Sequence, residues 1–199
     1  MYTQPCGPSV DTCMGAVPPP CGARPAMNIE QQQRIQQAVV ALGSFIGECD
    51  MVVNQLHSAR NTEMMDASTS NHSFFGSIVT HMSYRENMNV ANRVDALRNS
   101  AININHMLSS LQHPFAGGAS SVLPPCALLD TSLNGHMIRQ SESNEHSFFW
   151  NFITDNAYSS MASNNTMQAI HMTMDRVNAV RHQAASIQSM LSSMNMRPF

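Results

Sequence analysis

Apolar residues recur along much of the chain in steps of four and three positions, the spacing that places side chains on one face of an α-helix. Asn28 precedes the first such row and is a suitable N-cap residue. The row predicts a long helix over about 28–60 whose apolar face packs as one continuous seam. Its members are Ile35, Val39, Leu42, Ile46, Cys49, Val53 and Leu56.

Two later segments carry the same stepping, and we expect both to form core-facing helices. No stretch of the sequence alternates between apolar and polar residues as a strand would. The first row consists of Val90, Val94, Leu97, Ala101, Ile104, Leu108 and Leu111. The second row consists of Val177, Val180, Ala184, Ile187, Leu191 and Met194.

The segments that carry these two rows are copies of one another. Residues 91–110 and 174–193 are identical at ten of twenty positions without a gap. The sequence His-Ser-Phe-Phe precedes both copies, at 72–75 and at 146–149. A repeat unit of roughly 80 residues is too long for a solenoid, and two copies are too few. The duplication therefore predicts a repeated helical hairpin in one bundle.

Together these patterns predict an all-α fold of four to five helices. We expect five, namely the helix over 28–60 and two hairpins whose first helices cover about 62–84 and 129–161. Pro114 to Pro125 reads as a linker between the hairpins. The expected domains are an extended arm over 1–27 and a bundle over 28–199, with repeats over about 62–115 and 129–199.

Composition narrows the classes of partner. The chain has 17 Met, ten Arg and no Lys, and charged residues make up 12% of it, against about 25% in an average protein. A net charge of −3 without a basic cluster argues against nucleic acid. No apolar run reaches the roughly 18 residues of a membrane span. The sparsely charged, amide-rich surface favours packing against copies of the same chain, with compositional drift as the alternative explanation.

The N-terminal 27 residues hold six prolines and three cysteines and show no hydrophobic period. They cannot build a core, so we interpret them as an extended arm. Cys6, Cys13 and Cys21 are the candidate residues for disulfides that secure neighbouring subunits. The alternative is a disordered tail with incidental thiols, whereas zinc binding would require closer pairs.

His72 and His146 are the sharpest candidates for a site, because each lies on an expected inward face one turn before a phenylalanine. Bundle-core metal sites use inward histidines and carboxylates, so His72, His146 and Glu145 form the candidate metal set, with Fe, Mn or Cu as the ion. A di-iron site needs about four carboxylates and two Glu-x-x-His pairs. The sequence has no Glu-x-x-His, and a core or capping role for these histidines is the alternative.

Met167, His171 and Met174 follow one another at helical spacing and could bind Cu(I), although methionines also fill bundle cores. The sequence contains no Gly-x-Ser-x-Gly turn and no glycine-rich phosphate loop. The sequence therefore shows no recognisable catalytic motif, and we do not expect an enzyme. Phe148-Phe149-Trp150 and Phe74-Phe75 are interpreted as a hydrophobic plug, or as an interface if Trp150 faces outward.

The segment 145–157 resembles a motif of an uncharacterised, duplicated ferritin-like family from spore-forming bacteria. That motif reads roughly Glu-His-x-Phe-Trp, six residues, then His-Ala. The matching positions are Glu145, His146, Phe148, Asp155 and Ala157, with Phe149 in place of the Trp. The resemblance implies a duplicated ferritin-like bundle with a capacity for metal. Asn156 stands where the family has its second histidine, and Asn71 replaces the glutamate in the first copy. These two losses imply that the scaffold was retained while its metal site was weakened.

The leading prediction is a non-enzymatic structural protein that self-assembles into a coat, shell, capsid or filament through its bundle faces and its cysteine-containing arm. The alternative is a ferritin-like metal-binding or redox protein with a His/carboxylate or His/Met site in the bundle core. A helical adaptor that binds another protein through exposed Phe or Trp is a third hypothesis.

Overall fold

The computed structural model describes residues 29–69, 74–112, 123–124, 126–151 and 156–195, with side chains over 29–65, 82–112, 123–124, 126–144 and 164–194. This part of the chain contains four helices and no strand, which confirms the predicted all-α class. The helices are α1 (Ile29–Thr69), α2 (Phe74–Gln112), α3 (His136–Asn151) and α4 (Asn156–Asn195).

The expected set of five helices is wrong for the described residues. The segment predicted as a separate helix over 62–84 is divided, because α1 continues to Thr69 and α2 begins at Phe74. The predicted helix over 129–161 is also divided, since α3 begins only at His136 and α4 begins at Asn156. The duplicated segments 91–110 and 174–193 lie at corresponding places in α2 and α4.

Neighbouring helices run antiparallel. α1 packs against α2 and α4, and α3 packs against the same two helices. Ser100 of α2 donates a hydrogen bond to Glu48 at 3.1 Å, whereas Thr62, further along α1, donates to the earlier Glu86 at 2.8 Å. The reversed order of these contacts sets α1 and α2 antiparallel and gives the bundle an up-and-down arrangement.

The seams predicted for α2 and α4 are confirmed almost position for position. All seven predicted members of the α2 row are buried, and so are five of the six predicted for α4. Met194 is the exception and is only half-buried. The rows continue beyond the predicted part into polar residues, because Ser83 and Asn87 are buried in α2, and Thr166 and Thr173 in α4.

Every second residue of the seam predicted for α1 is wrong. Ile35, Leu42, Cys49 and Leu56 are buried as predicted, but Ala38, Phe45 and Val52 take the places assigned to Val39, Ile46 and Val53. The predicted three are half-buried and pack against the rim of the core. The reason is that α1 lies between α2 and α4, so its buried sector is wider than one row of side chains.

An extended segment occupies the space beside the second half of α2. Residues 123–124 and 126–135 run back along α2, with the Leu123 N–H bonded to the Leu111 carbonyl at 3.3 Å. The segment inserts four apolar side chains into the core. It therefore occupies the position that a helix would otherwise fill in this part of the bundle. These residues are Leu123, Ala127, Leu129 and Leu133.

The segment ends at Gly135, which lies directly against the backbone of Ala91 in α2. The Gly135 N–H donates to Asp95 Oδ1 at 2.8 Å, and Arg139 pairs with the other oxygen of the same carboxylate. Burial raises the pKa of Asp95, but the Gly135 N–H and the Arg139 guanidinium lower it by more, so the pKa lies below its ordinary value of 3.8. Asp95 thus fixes the start of α3 on α2.

Candidate functional site

A cluster of buried polar side chains lies towards the end of α1 and the beginning of α2, with a member from α3. Glu63 comes from α1, Asn87 from α2 and Glu142 from α3, and each is almost completely buried. Buried carboxylates are rare in soluble bundles because an ionised group loses its hydration. Two of them in one cluster therefore make this level of the bundle the candidate functional site.

Asn87 joins the two carboxylates. Its Nδ2 donates to Glu63 Oε1 at 2.5 Å and also to Glu142 Oε1. Because both oxygens contact one nitrogen, they lie within about 6 Å of each other. Asn87 Oδ1, by contrast, is buried and has no hydrogen-bond partner in the described part of the chain.

Hydroxyl groups complete the cluster on two sides. Ser83, one turn before Asn87, donates to Glu63 Oε1 and lies 3.4 Å from Asn87 Nδ2. Ser141 is the chain neighbour of Glu142 in α3, and its hydroxyl lies 2.8 Å from the hydroxyl of Thr166 in α4. All four helices thus contribute polar atoms at this level.

The cluster follows the sequence duplication in part. Ser83 and Thr166 are 83 positions apart, the same offset that relates 91–110 to 174–193. Both hydroxyls are buried on the second helix of a hairpin, facing a first helix that carries a buried glutamate. Asn87 has no polar counterpart, because the corresponding residue of α4 is Ile170. Only the α2 copy can therefore bridge the carboxylates with an amide.

Sequence reasoning missed Glu63 and Glu142. The signal that could have found Glu63 is the α1 seam itself, because Glu63 follows Leu56 by seven positions and so occupies an extension of the same face. Glu142 likewise follows the buried Ile138 by four positions. Two other carboxylates, Glu48 and Glu86, are half-buried and accept hydrogen bonds from Ser100 and Thr62 on the neighbouring helix.

The predicted metal set stays a prediction. His72 lies outside the described residues, and Glu145 and His146 belong to the backbone of α3 while their side chains lie outside the described part. Within the described side chains, no three His, Cys, Asp or Glu residues come together in a way that could hold a metal ion. Cys6, Cys13 and Cys21 of the arm also lie outside the described residues.

The predicted Met/His constellation is not assembled. His171 is exposed and pairs with Asp175 at 3.3 Å, whereas Met174 is buried in the core. The structure therefore directs His171 to solvent and Met174 into the core, so it does not bring the two together as an ion site. Core packing is the role that the structure assigns to Met174.

Cys49 and Cys126 are the two cysteines among the described residues, and both are free thiols. Cys126 is exposed, while Cys49 is buried in the α1 seam. Burial, together with the charges of Asp50 and Glu48, raises the pKa of Cys49 to about 12, against a smaller lowering by Arg181. Cys49 is therefore an unreactive core residue.

The outward face of α1 carries three exposed apolar side chains among small and amide residues, and it has no charged residue between Ile35 and Gly47. Ile29, Val40 and Met51 are 73%, 62% and 54% exposed. They recur every eleven residues, which is close to three helical turns, so they lie in one line. Small residues, Ser44 and Gly47, separate Val40 from Met51 in that line, and a side chain added at Gly47 would meet no other atom.

α1 is also long and apolar enough to cross a membrane, with a mean hydropathy of 1.2 in its best window. This is weak support for a span, because a core helix of a bundle passes the same test. The helix contributes eight apolar residues to the buried core and lies between α2 and α4. The expectation that the chain has no membrane span stays a prediction.

A groove of about 520 Å³ opens between α1 and α2. Gln55, Glu86 and Arg93 are among the residues that line it. The lining described contains neither a cysteine, serine or threonine nucleophile nor a histidine base, so the groove offers no nucleophile and base pair of the usual kind.

Comparison with known proteins adds no relative. No family model matches the chain, and no curated protein or solved structure matches it significantly. The resemblance to a ferritin-like family is neither supported nor contradicted by these comparisons.

Proposed function

We propose that this chain is a structural protein that assembles with copies of itself, with the outward face of α1 as a principal contact. The observation that carries the proposal is the line formed by Ile29, Val40 and Met51. From Ile35 to Gly47 the sequence contains no charged residue, although much of this segment faces solvent in the single chain. A second helix packed on this face would remove the exposed apolar groups from water.

The occupant proposed for this face is α1 of a second copy. An isologous contact requires a self-complementary surface, and the stretch of α1 from Ile35 to Gly47, which has no charged residue, meets its own copy without bringing like charges together. Ser44 and Gly47 lie between the larger Val40 and Met51, so two such helices can interlock side chains with small residues.

The α1 face alone is too small for a stable pair. Its length from Ile29 to Met51 is about 33 Å and its width about 10 Å, so it buries roughly 350 Å² on each chain. A standard interface buries about 800 Å² on each partner. The assembly therefore needs a second contribution, and the proposed source is the arm with Cys6, Cys13 and Cys21.

A pair of charged substitutions tests the proposal. Val40→Glu combined with Met51→Glu places two carboxylates in the proposed contact, and sedimentation velocity then measures association over a range of concentrations. The matched control is Met82→Glu combined with Met172→Glu, which adds the same charge at exposed methionines of α2 and α4.

We expect the α1 variant to weaken self-association at least tenfold while the control behaves as the wild type. Equal association of the two variants would contradict the proposed contact. A wild-type chain that stays monomeric but binds lipid vesicles through α1 would also contradict it, because the apolar face would then serve a membrane. Circular dichroism checks that both variants remain helical.

A ferritin-like ancestry is part of this proposal. It is supported by the correspondence between the buried rows of α2 and α4, at the offset of 83 residues that relates the duplicated segments. In this account the scaffold descends from a metal-binding bundle, while its present role is assembly.

A further inference from the structure

Asn134 and Gly135 form the dipeptide at which the extended segment passes into α3. Asn134 is the only asparagine in the sequence that is followed by glycine. In an Asn-Gly dipeptide the glycine nitrogen can attack the side-chain amide of the asparagine, because glycine has no Cβ to hinder the approach. We propose that Asn134 is a site of self-modification, and that the contact between Gly135 and Asp95 holds the reaction in check.

The reaction needs only water as a co-reactant, and its atoms balance. The Gly135 nitrogen forms a bond to Asn134 Cγ, and the bond from Cγ to Nδ2 breaks. The side-chain nitrogen leaves as ammonia, together with the proton that the Gly135 nitrogen loses, and a succinimide ring remains. Water then opens the ring at either carbonyl group and leaves aspartate or isoaspartate at position 134.

In the folded chain the attacking nitrogen is engaged by a carboxylate. The Gly135 N–H donates to Asp95 Oδ1 at 2.8 Å, and the Arg139 guanidinium holds the other oxygen of that carboxylate. Attack requires the nitrogen to give up its proton, so negative charge develops on the nitrogen beside the Asp95 oxygen. Because like charges repel, Asp95 opposes the reaction for as long as this contact is made.

Packing around the dipeptide also opposes ring closure, which requires Gly135 to rotate relative to Asn134. Gly135 is buried and lies directly against the backbone of Ala91, so it has no room to move towards α2. Leu133 and Ile138, on either side of the dipeptide, are 1% and 0% exposed and hold both flanks in the core. The dipeptide can therefore react only while this end of α3 is detached from α2.

Conversion to isoaspartate would make that detachment permanent. In isoaspartate the main chain passes through the former side chain, which adds a carbon between residue 134 and Gly135. The added carbon changes the spacing between Leu133 and Ile138, and both of these side chains have to enter the core. Self-modification thus marks chains in which α3 has opened and prevents their α3 from returning to its place.

Peptide mass spectrometry of the full-length protein, incubated at neutral pH in native buffer and in concentrated urea, tests the proposal. It follows the exchange of the Asn134 amide for a carboxyl group, and labelling with an isoaspartyl methyltransferase identifies isoaspartate in the same peptide. We expect conversion in native buffer to be at least tenfold slower than in urea, because it waits for local opening. Equal rates in the two solutions, or an amide that persists in urea, would overturn the proposal.

Asp95→Ala is the decisive variant, with Asp175→Ala as the matched control at an exposed position of α4. Loss of the Asp95 carboxylate frees the Gly135 N–H and should speed conversion in native buffer at least tenfold. The control should convert at the wild-type rate. A wild-type rate in Asp95→Ala would overturn the proposed role of Asp95. If this variant fails to fold, the comparison of the wild type in buffer and in urea decides.

The effect of the modification is measured on converted protein that ion exchange separates by its added negative charge. We expect the isoaspartate form to have a Tm about 5 °C lower than the unconverted chain, because α3 no longer packs in its place. An unchanged Tm would overturn the claim that the modified chain cannot restore α3.

Discussion

The side chain of Asn105 and the backbone of Leu129 exchange two hydrogen bonds. The Leu129 N–H donates to Asn105 Oδ1 at 2.7 Å, and Asn105 Nδ2 donates to the Leu129 carbonyl at 2.8 Å. In an extended backbone the N–H and carbonyl of Leu129 have no partners within a helix. The side-chain amide of Asn105 takes the place of those partners. The pairing holds the extended segment against α2 and directs the Leu129 side chain into the core.

Replacing Asn105 with alanine should lower the free energy of unfolding by about 1–3 kcal/mol, because both backbone groups of Leu129 lose their partner. Asn103→Ala is the matched control, since Asn103 is exposed on the same helix. Urea denaturation followed by circular dichroism measures the difference. Equal stability of the two variants would show that water replaces the amide at no cost.

Two glycines should respond to alanine in opposite directions. A Cβ at Gly135 would overlap the carbonyl oxygen, the carbonyl carbon and the Cα of Ala91. The backbone of Ala91 cannot move aside as a flexible side chain can. We expect Gly135→Ala to lower the free energy of unfolding by about 3 kcal/mol. Gly47→Ala meets no atom within 4 Å and should raise it by up to about 1 kcal/mol through helix propensity. Thermal denaturation of both variants would refute this account if their Tm values shifted alike.

Asp95 should make the stability of the bundle depend on pH. Its pKa in the folded chain lies below the ordinary value, so the folded state releases the proton more readily than the unfolded state does. The stabilisation is complete above the unfolded pKa, near 4, and is lost as the pH falls through the folded pKa.

Comparison of the wild type with Asp95→Asn isolates this contribution. Because the pair with Arg139 is partly exposed, we expect a difference of no more than about 1 kcal/mol at pH 7, and a smaller one at pH 3. Urea unfolding at a series of pH values measures it. A difference that grew towards acid would have the wrong sign.

The two free thiols should differ sharply in reactivity. Cys126 is exposed, whereas the pKa of Cys49 is raised to about 12, so roughly one Cys49 thiol in ten thousand is ionised at pH 8. Iodoacetamide should label Cys126 within minutes in the native protein and reach Cys49 only after unfolding. Peptide mass spectrometry distinguishes the two sites, and rapid native labelling of Cys49 would contradict its place in the α1 seam.

The sequence predicts the helical class and the inner face of α2 because one strong periodic row, from Val90 to Leu111, has a single consistent orientation. It does not decide between Ala38 and Val39 in α1, because both lie within the sector that α2 and α4 jointly cover. That choice depends on the neighbouring helices and not on the periodicity of α1.

The buried polar cluster could not be predicted from apolar periodicity, because Glu63, Asn87 and Glu142 enter the seams as polar residues. Their meeting depends on the register between helices. Asn87 and Glu142 are 55 positions apart, and the extended segment after α2 sets where α3 begins. Gly135 and Asp95 fix that starting point through a contact that has no periodic signature.

The native mass of the full-length protein, measured by light scattering over a concentration series with and without reductant, tests self-assembly most directly. The account predicts a mass that is a multiple of the 21.9 kDa chain and that falls when reductant breaks disulfides of the arm. A mass of 21.9 kDa at every concentration under oxidising conditions would contradict it.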